Sequence, residues 1–449
     1  MGFTDVLSFA TPAPGNFSFS GDGSSSSGFA ILSRVWPRAE DRIAFTKHNF
    51  YTEFAPWLLG FYTLAVLVQL PNTRTLRMGV LAVMVALGWH LATAYEYAEM
   101  PVKAGDNWVS FTVCWLISFW MLRAIDFATS DKLFKRIKWS NLPDDAPQDF
   151  QTQLKGALLN APDLCFNGRG IGWNWGKNIY TPPQTSSTGA PVAETPALDY
   201  LYNYIKVQIF FDFVLFAQQT WTLYPAPGYA VHPAGGTIFD PTLPWYLFAG
   251  KCVAMTILCP VGLCSSFAAT YYIVAFLCIT LLGQSSAQWP PLFQEPWRAT
   301  SLADYWGTRW HQVFKRSFVV CGAKPAARLF GRAGGVIGAF FVSGVMHDTG
   351  VWGAGLGTDP GSITMFFTMM GVGCVLEEVW KQKTGRKVGG VLGWAWAMIW
   401  MLYWGSFIID AWARRGLIIS KMSADAMRPS LYWAKVVQRW IELNGQPPV

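Results

Sequence analysis

The chain has 449 residues, of which 52% are hydrophobic, 16% aromatic and only 14% charged, with a formal net charge of +7. A soluble protein of this length needs more charge to cover its surface, so an assembly of soluble domains is excluded and a polytopic membrane protein is indicated. The excess positive charge lies in short loops between apolar runs, which points to positive-inside topology and anionic headgroups rather than nucleic acid.

Residues 1–45 form a tail rich in Gly, Ser and Pro, too poor in apolar surface to offset its ordering entropy, and are expected to be disordered. Residues 46–449 form the membrane domain. No basic n-region followed by a continuous apolar stretch precedes Arg34, so no signal peptide is expected. The sequon Asn16-Phe17-Ser18 is a glycosylation candidate only if the tail is lumenal. Apolar runs predict helices over 56–70, 76–94 and 108–127. His90, near the end of the second, is expected to bond to a neighbouring helix.

Residues 129–198 form a polar insertion. Within 132–139, Leu133, Phe134 and Ile137 fall on one helical face with bases opposite, the pattern of a helix lying on an anionic surface. Farther on, Gly168, Gly170 and Gly172 alternate before Trp173. That spacing is not a nucleotide fingerprint, so a structural turn packing its Trp residues is expected. A helix over 200–222 follows, then a Pro-rich loop without Lys or Arg. The apolar tract 245–283 is interrupted by Pro260 and Gly262 and reads as two tight helices or one broken one. Helices over 334–352, 363–380 and 391–412 complete the bundle, and 430–443 repeats the surface-helix pattern with Trp433, Val436, Val437, Trp440 and Ile441 on one face.

The expectation is an all-α transmembrane bundle of about eight or nine spans with interfacial amphipathic helices. Basic loops at 72–78, 129–140, 297–332 and 381–387 go to the cytosol if 245–283 crosses an odd number of times. The N-terminus is then lumenal, where Arg34, Arg38 and Arg42 fit poorly. The eight cysteines lack CxxC spacing and lie mostly in apolar runs, so they read as small buried hydrophobes, with no disulfide framework or metal site expected.

Chemistry concentrates in 284–350. His347 lies within a predicted membrane helix, where an ionisable residue is costly and therefore a candidate functional group. Ser343, four residues earlier, shares its face, whereas Asp348 points about 100° away. Gly334, Gly335, Gly338 and Gly344 would admit another helix or a substrate chain. His311, after Arg309 and Trp310, is either an interfacial anchor or a polar group facing the same cavity. A neutral imidazole can take a proton from an alcohol attacking a thioester, and a second histidine or an Asn or Trp N–H can meet the developing oxyanion. No GxSxG occurs, so direct transfer without an acyl-enzyme is favoured. A transporter is the competing class, but no internal repeat is evident and intramembrane ionisable residues cluster only near His347 and Glu377-Glu378, the latter read as a solvated helix end.

The runs Pro291-Leu292-Phe293, Asp304-Tyr305-Trp306-Gly307-Thr308-Arg309-Trp310-His311-Gln312 and Ser343-Gly344-Val345-Met346-His347 resemble the wax synthase-like branch of the membrane-bound O-acyltransferases. The Arg169-Gly170-Ile171-Gly172-Trp173 turn resembles that branch as found in fungi. This chain has Asp348 where many relatives have Glu. The resemblance implies catalytic roles for His347, as base, and His311. It also implies use of an acyl-CoA co-substrate, with no bound cofactor, and a small lipophilic alcohol as acceptor. Arg298, Arg309, Lys315 and Arg316, with Trp310 beside them, are candidates to meet the CoA. The fungal-type turn favours acetyl transfer from acetyl-CoA to a terpenoid or polyketide alcohol, with long-chain wax ester synthesis as the alternative. The implied location is the endoplasmic reticulum membrane.

Overall fold

The computed structural model describes residues 41–98, 107–139, 149–184, 194–223, 236–418 and 428–444. The tail to residue 40 with Asn16, Arg34 and Arg38, and the side chain of Ile441, lie outside the described residues. The longer helices are α1 (Ala55–Leu67), α2 (Arg74–Ala94), α3 (Asn107–Thr129), α4 (Phe150–Phe166), α5 (Ala197–Leu223), α6 (Trp245–Leu282), α7 (Lys324–Gly353), α8 (Ile363–Thr384), α9 (Gly390–Arg414) and α10 (Pro429–Asn444). Two-residue strands β1 (Ile43–Ala44) and β2 (Tyr95–Glu96) pair in parallel. The protein is all-α and polytopic. Among the described residues, α2, α3, α6, α8, α9 and the run Lys315–Gly353 are long and apolar enough to cross a membrane. The helices expected at 56–70 and 200–222 are present as α1 and α5 but do not meet that standard.

The tract expected as two helices or a broken one is a single 38-residue helix, α6, which runs through Pro260. Its length, about 57 Å at 1.5 Å per residue, exceeds the hydrocarbon thickness, so it must tilt or project. The segment 132–139 is not a surface helix. Its backbone pairs instead with the glycine turn, since Ile137 N–H donates to the Gly172 carbonyl at 2.7 Å and Asn174 N–H to the Lys135 carbonyl at 2.9 Å. Phe134 is buried beneath α1 rather than facing lipid. Helix α4, inside the polar insertion, was not expected; Asp149 caps its N-terminus through the Thr152 N–H at 3.0 Å. The C-terminal helix forms as expected. Tyr432, Trp433, Val436, Val437 and Trp440 are exposed along it, and Arg428, just before it, pairs with buried Asp212 of α5 at 2.7 Å.

One bend governs the centre. Gly331 has φ +67°, a conformation that favours glycine, and there the run Lys315–Gly353 folds back on itself. A Cβ on Gly322 would collide with the Gly338 carbonyl, and one on Gly338 with the Ala326 side chain. Of the small residues expected to admit another helix, Gly334, Gly335 and Gly338 therefore admit the preceding arm of the same run, whereas Gly344 does admit another helix. Gly344, in the second arm, packs against Thr364 of α8, and Gly350 against Phe111 and Trp115 of α3.

At the opposite end, Arg42 caps the last turn of α7, donating to the Trp352 carbonyl at 2.9 Å and to the Gly353 carbonyl. Residue 42 thus lies on the side of the loop 353–361, where the charge bias puts the N-terminus. Its charge is spent on helix carbonyls, which removes the poor fit expected of Arg42.

Candidate active site

His347 sits in the second arm, about 24 Å along the helix from Gly331 at 1.5 Å per residue. Its Nδ1 lies 2.7 Å from the Ser343 carbonyl oxygen. A carbonyl only accepts, so Nδ1 carries the proton and Nε2 keeps its lone pair. Phe367 of α8 stacks on the ring at 4.3 Å, and Trp115 meets it edge-on at 5.8 Å. Neither aromatic partner is visible from sequence spacing; both come from the close approach that Gly344 and Gly350 permit. Asp348 is turned away from the ring and accepts the Asp359 N–H at 2.7 Å, bracing the loop that follows α7.

The His311 segment reaches the same level by descending along α8. Glu377 accepts the N–H groups of Leu302 at 2.6 Å and Ala303 at 2.9 Å, and the Trp396 indole N–H at 3.0 Å. It is buried, so the reading of Glu377 as a solvated helix end is corrected; only Glu378 is exposed, beside Lys381. About three turns lower on α8, Trp306 packs on Phe366 and Phe367. Leu302–Asp304 is α-helical and Tyr305–Arg309 a π-helical turn, after which the backbone leaves helical conformation at Trp310–Gln312. The register that sets Gly322 against Gly338 continues down both arms and joins Phe314 to Met346 in one cluster with Trp115 and Phe119. His311 is thereby brought beside His347. It is surrounded by Phe314 at 4.9 Å, Phe267 at 5.5 Å and Phe293 at 5.7 Å. Burial, and then the adjacent His347, push its pKa down to about 3, so it is a neutral imidazole at pH 7.

The remaining candidates separate. Arg309 donates to Asp304 at 2.7 Å and toward the carbonyls of Gln294 and Glu295, so it fastens the descending segment. Burial pushes the Asp304 carboxyl up, but hydrogen bonds from Arg309 and Thr308 outweigh it and hold the group below the usual carboxylate range. Trp310 stacks on Tyr305 at 5.3 Å. Arg316 forms a two-pronged pair with buried Asp126, at 2.6 and 2.9 Å, and lies over Phe134 and Trp175. Lys315 is half-buried, with its ammonium 3.5 Å from the Gly307 carbonyl. Arg298 alone of these bases is largely exposed, paired loosely with Glu295 at 3.4 Å.

The glycine turn is structural, as expected, and it braces the site. Gly170 and Gly172 have φ of +65° and +80°, and Gly168 lies against the Val313 backbone so closely that a Cβ would clash. Arg169 is buried and donates to the Pro290 and Pro291 carbonyls, each at 2.8 Å, and to the Tyr271 hydroxyl at 2.6 Å. His90 Nε2 lies 3.2 Å from Glu53 Oε2, in the helical turn before α1, without hydrogen-bond geometry. All eight cysteines are free thiols, buried or half-buried.

Residues 289–369 match the family model of the membrane bound O-acyl transferase family. Over 353 residues the chain is 25% identical to O-Mevalon transferase macI of Penicillium terrestre, covering 71% of this chain and 74% of that protein. It is 30% identical over 149 residues to acetyltransferase spyB of Aspergillus fumigatus, covering 28% of this chain and 25% of that one. It is 33% identical over 106 residues to a long-chain-alcohol O-fatty-acyltransferase of Simmondsia chinensis, covering 22% and 30%. The matched family segment spans both histidines and the bend between them.

Proposed function

We propose that this O-acyltransferase, a member of the membrane bound O-acyl transferase family, moves an acetyl group from acetyl-CoA to a hydroxyl of a terpenoid or polyketide secondary metabolite. His347 is the base: its Nε2 takes the proton as the alcohol oxygen attacks the thioester carbonyl. His311, neutral and opposite, orients the reacting groups. The carrying observation is the fold-back at Gly331, which brings the two imidazoles of one stretch to one level while leaving His347 Nε2 unengaged. Acetyl is favoured over a long chain because Phe367 and Trp115 close on the base, and because fungal relatives bear acetyltransferase names. Long-chain ester synthesis is the alternative that the Simmondsia relative supports. The membrane proposed is that of the endoplasmic reticulum.

The test is incubation of purified membranes with labelled acetyl-CoA or palmitoyl-CoA and a panel of terpenoid and fatty alcohols, with products read by mass. Acetyl ester formation that His347→Ala abolishes, and His311→Ala lowers by about 10²-fold or more, is the expected result. Wild-type turnover by His347→Ala in protein that inserts normally overturns the assignment of the base. Palmitoyl esters alone favour the wax reading.

A further inference from the structure

Buried indole N–H groups in this protein generally have acceptors. Trp57 donates to the Met84 carbonyl at 3.0 Å, Trp400 to the Met369 carbonyl at 3.0 Å, and Trp173 to Asp163 at 2.6 Å. Trp115 does not. Its side chain is more than nine-tenths buried in α3, yet its Nε1–H meets no hydrogen-bond partner. An unpaired buried donor costs about 1–3 kcal/mol and calls for an explanation. Trp175, Trp306 and Trp412 share this lack among the described residues, but Trp175 is covered by the guanidinium groups of Arg123 and Arg316. The ring contacts of Trp306 run to Tyr305, Trp310 and phenylalanines, and that of Trp412 to Phe111. Of the four, only Trp115 meets the His347 ring, at 5.8 Å. It also meets Phe314, which itself packs on His311, at 4.9 Å in both contacts.

We propose that the Trp115 indole N–H is the donor to the acyl carbonyl oxygen, holding the oxyanion that forms as the alcohol attacks. The inference rests on the acyl-transfer reading of His347. The alcohol oxygen forms the new C–O bond to the thioester carbonyl carbon while its proton passes to His347 Nε2. The carbonyl electron pair moves onto oxygen, where the indole N–H meets it. As the carbonyl re-forms, the C–S bond breaks and the CoA thiolate leaves with that electron pair, recovering the proton from His347. A fixed donor in a water-poor site is suited to this role because it needs no reorganisation when charge develops. Trp115 lies near the middle of α3, in a span that sequence inspection reads as plain apolar packing, and its lack of an acceptor is a property of the folded chain alone.

The decisive variant replaces Trp115 with 3-benzothienylalanine, which keeps the bicyclic shape and puts sulfur where the N–H was. Trp115→Phe accompanies it. Both are assayed in nanodiscs with acetyl-CoA and palmitoyl-CoA against farnesol and 1-hexadecanol, beside wild type and His347→Ala. The expected result is a fall in kcat of about 10²-fold for the benzothienyl protein, with KM for either substrate within about threefold and unchanged thermal unfolding. Wild-type kcat in the benzothienyl protein overturns the proposal. So does a loss that follows KM or unfolding temperature, since that is packing. If wild type transfers neither acyl group, or His347→Ala transfers as fast as wild type, the acyl-transfer reading of His347 fails instead.

Discussion

Glu377 and Glu378 are neighbours with opposite fates, which makes them a sharp test of how the His311 segment is held. Glu377→Ala removes the acceptor for three N–H groups, two of them backbone, at 2.6, 2.9 and 3.0 Å; that of Leu302 is buried, and those of Ala303 and Trp396 are partly buried. A donor left buried costs about 1–3 kcal/mol and the two partly buried ones, which water can reach, cost less, so the substitution should destabilise the protein by about 2–4 kcal/mol. Glu377→Gln keeps one oxygen as acceptor and should lose roughly half as much. Because the segment from Leu302 runs without interruption to His311, loosening its start displaces that imidazole. A shift of about 1 Å at a reacting group can cost about 10²-fold in rate. The assay is thermal unfolding in detergent together with kcat for acyl transfer. Glu378→Ala, which removes only an exposed pair with Lys381 at 3.3 Å, should leave both unchanged. If Glu377→Ala matches wild type in unfolding and in kcat, the descent of this segment along α8 is not what positions His311.

Three further outcomes are expected. Gly338→Leu should abolish activity and strongly reduce folded yield, because its side chain must occupy the space of Ala326 and the Gly322 backbone; a fully active variant would refute the fold-back at Gly331. Arg298→Gln should raise KM for acyl-CoA about three- to tenfold with little change in unfolding temperature, whereas Arg316→Gln, which leaves buried Asp126 with Arg123 as its remaining cationic partner, should act through stability, by about 1–3 kcal/mol. The folded pKa of His311 lies below the ordinary 6.5, at about 3, so the unfolded chain takes up a proton first as pH falls. The corresponding stability is present above about pH 6.5 and erodes toward pH 3, by about 2 kcal/mol at pH 5. A His311→Asn protein should lack that component of the pH dependence in thermal unfolding.

Most helices were legible because a span advertises itself through continuous apolar residues, and α2, α3, α8 and α9 form where those runs lie. The misreadings share a cause. Leu133, Phe134 and Ile137 satisfy helical spacing, but the backbone there finds partners in a turn some forty residues away, which no local pattern encodes. Helix α4 is built on small and short apolar residues within a polar stretch and gives a weak periodic signal. The stretch from Asp304 to Arg309 looks like a surface loop because it is charged, yet those charges pair with each other on the way down. His347 was identifiable because an imidazole in an apolar run is conspicuous. Its aromatic covers, the brace from Arg169 and the structural use of Arg316 depend on contacts between distant segments.

The link between Arg42 and the end of α7 joins residues 311 positions apart. During synthesis, residue 42 emerges long before residue 353 exists, so its guanidinium lacks these two carbonyl acceptors until more than three-quarters of the chain has been made. Closure of that end is therefore a late event in biogenesis: a chain truncated before residue 353 would hold its N-terminal segment only by the earlier contacts to β2, the β1–β2 pairing and the Arg42 donation to the Tyr95 carbonyl. A nascent-chain series stopped on either side of that point would show when the N-terminal segment becomes protected from protease.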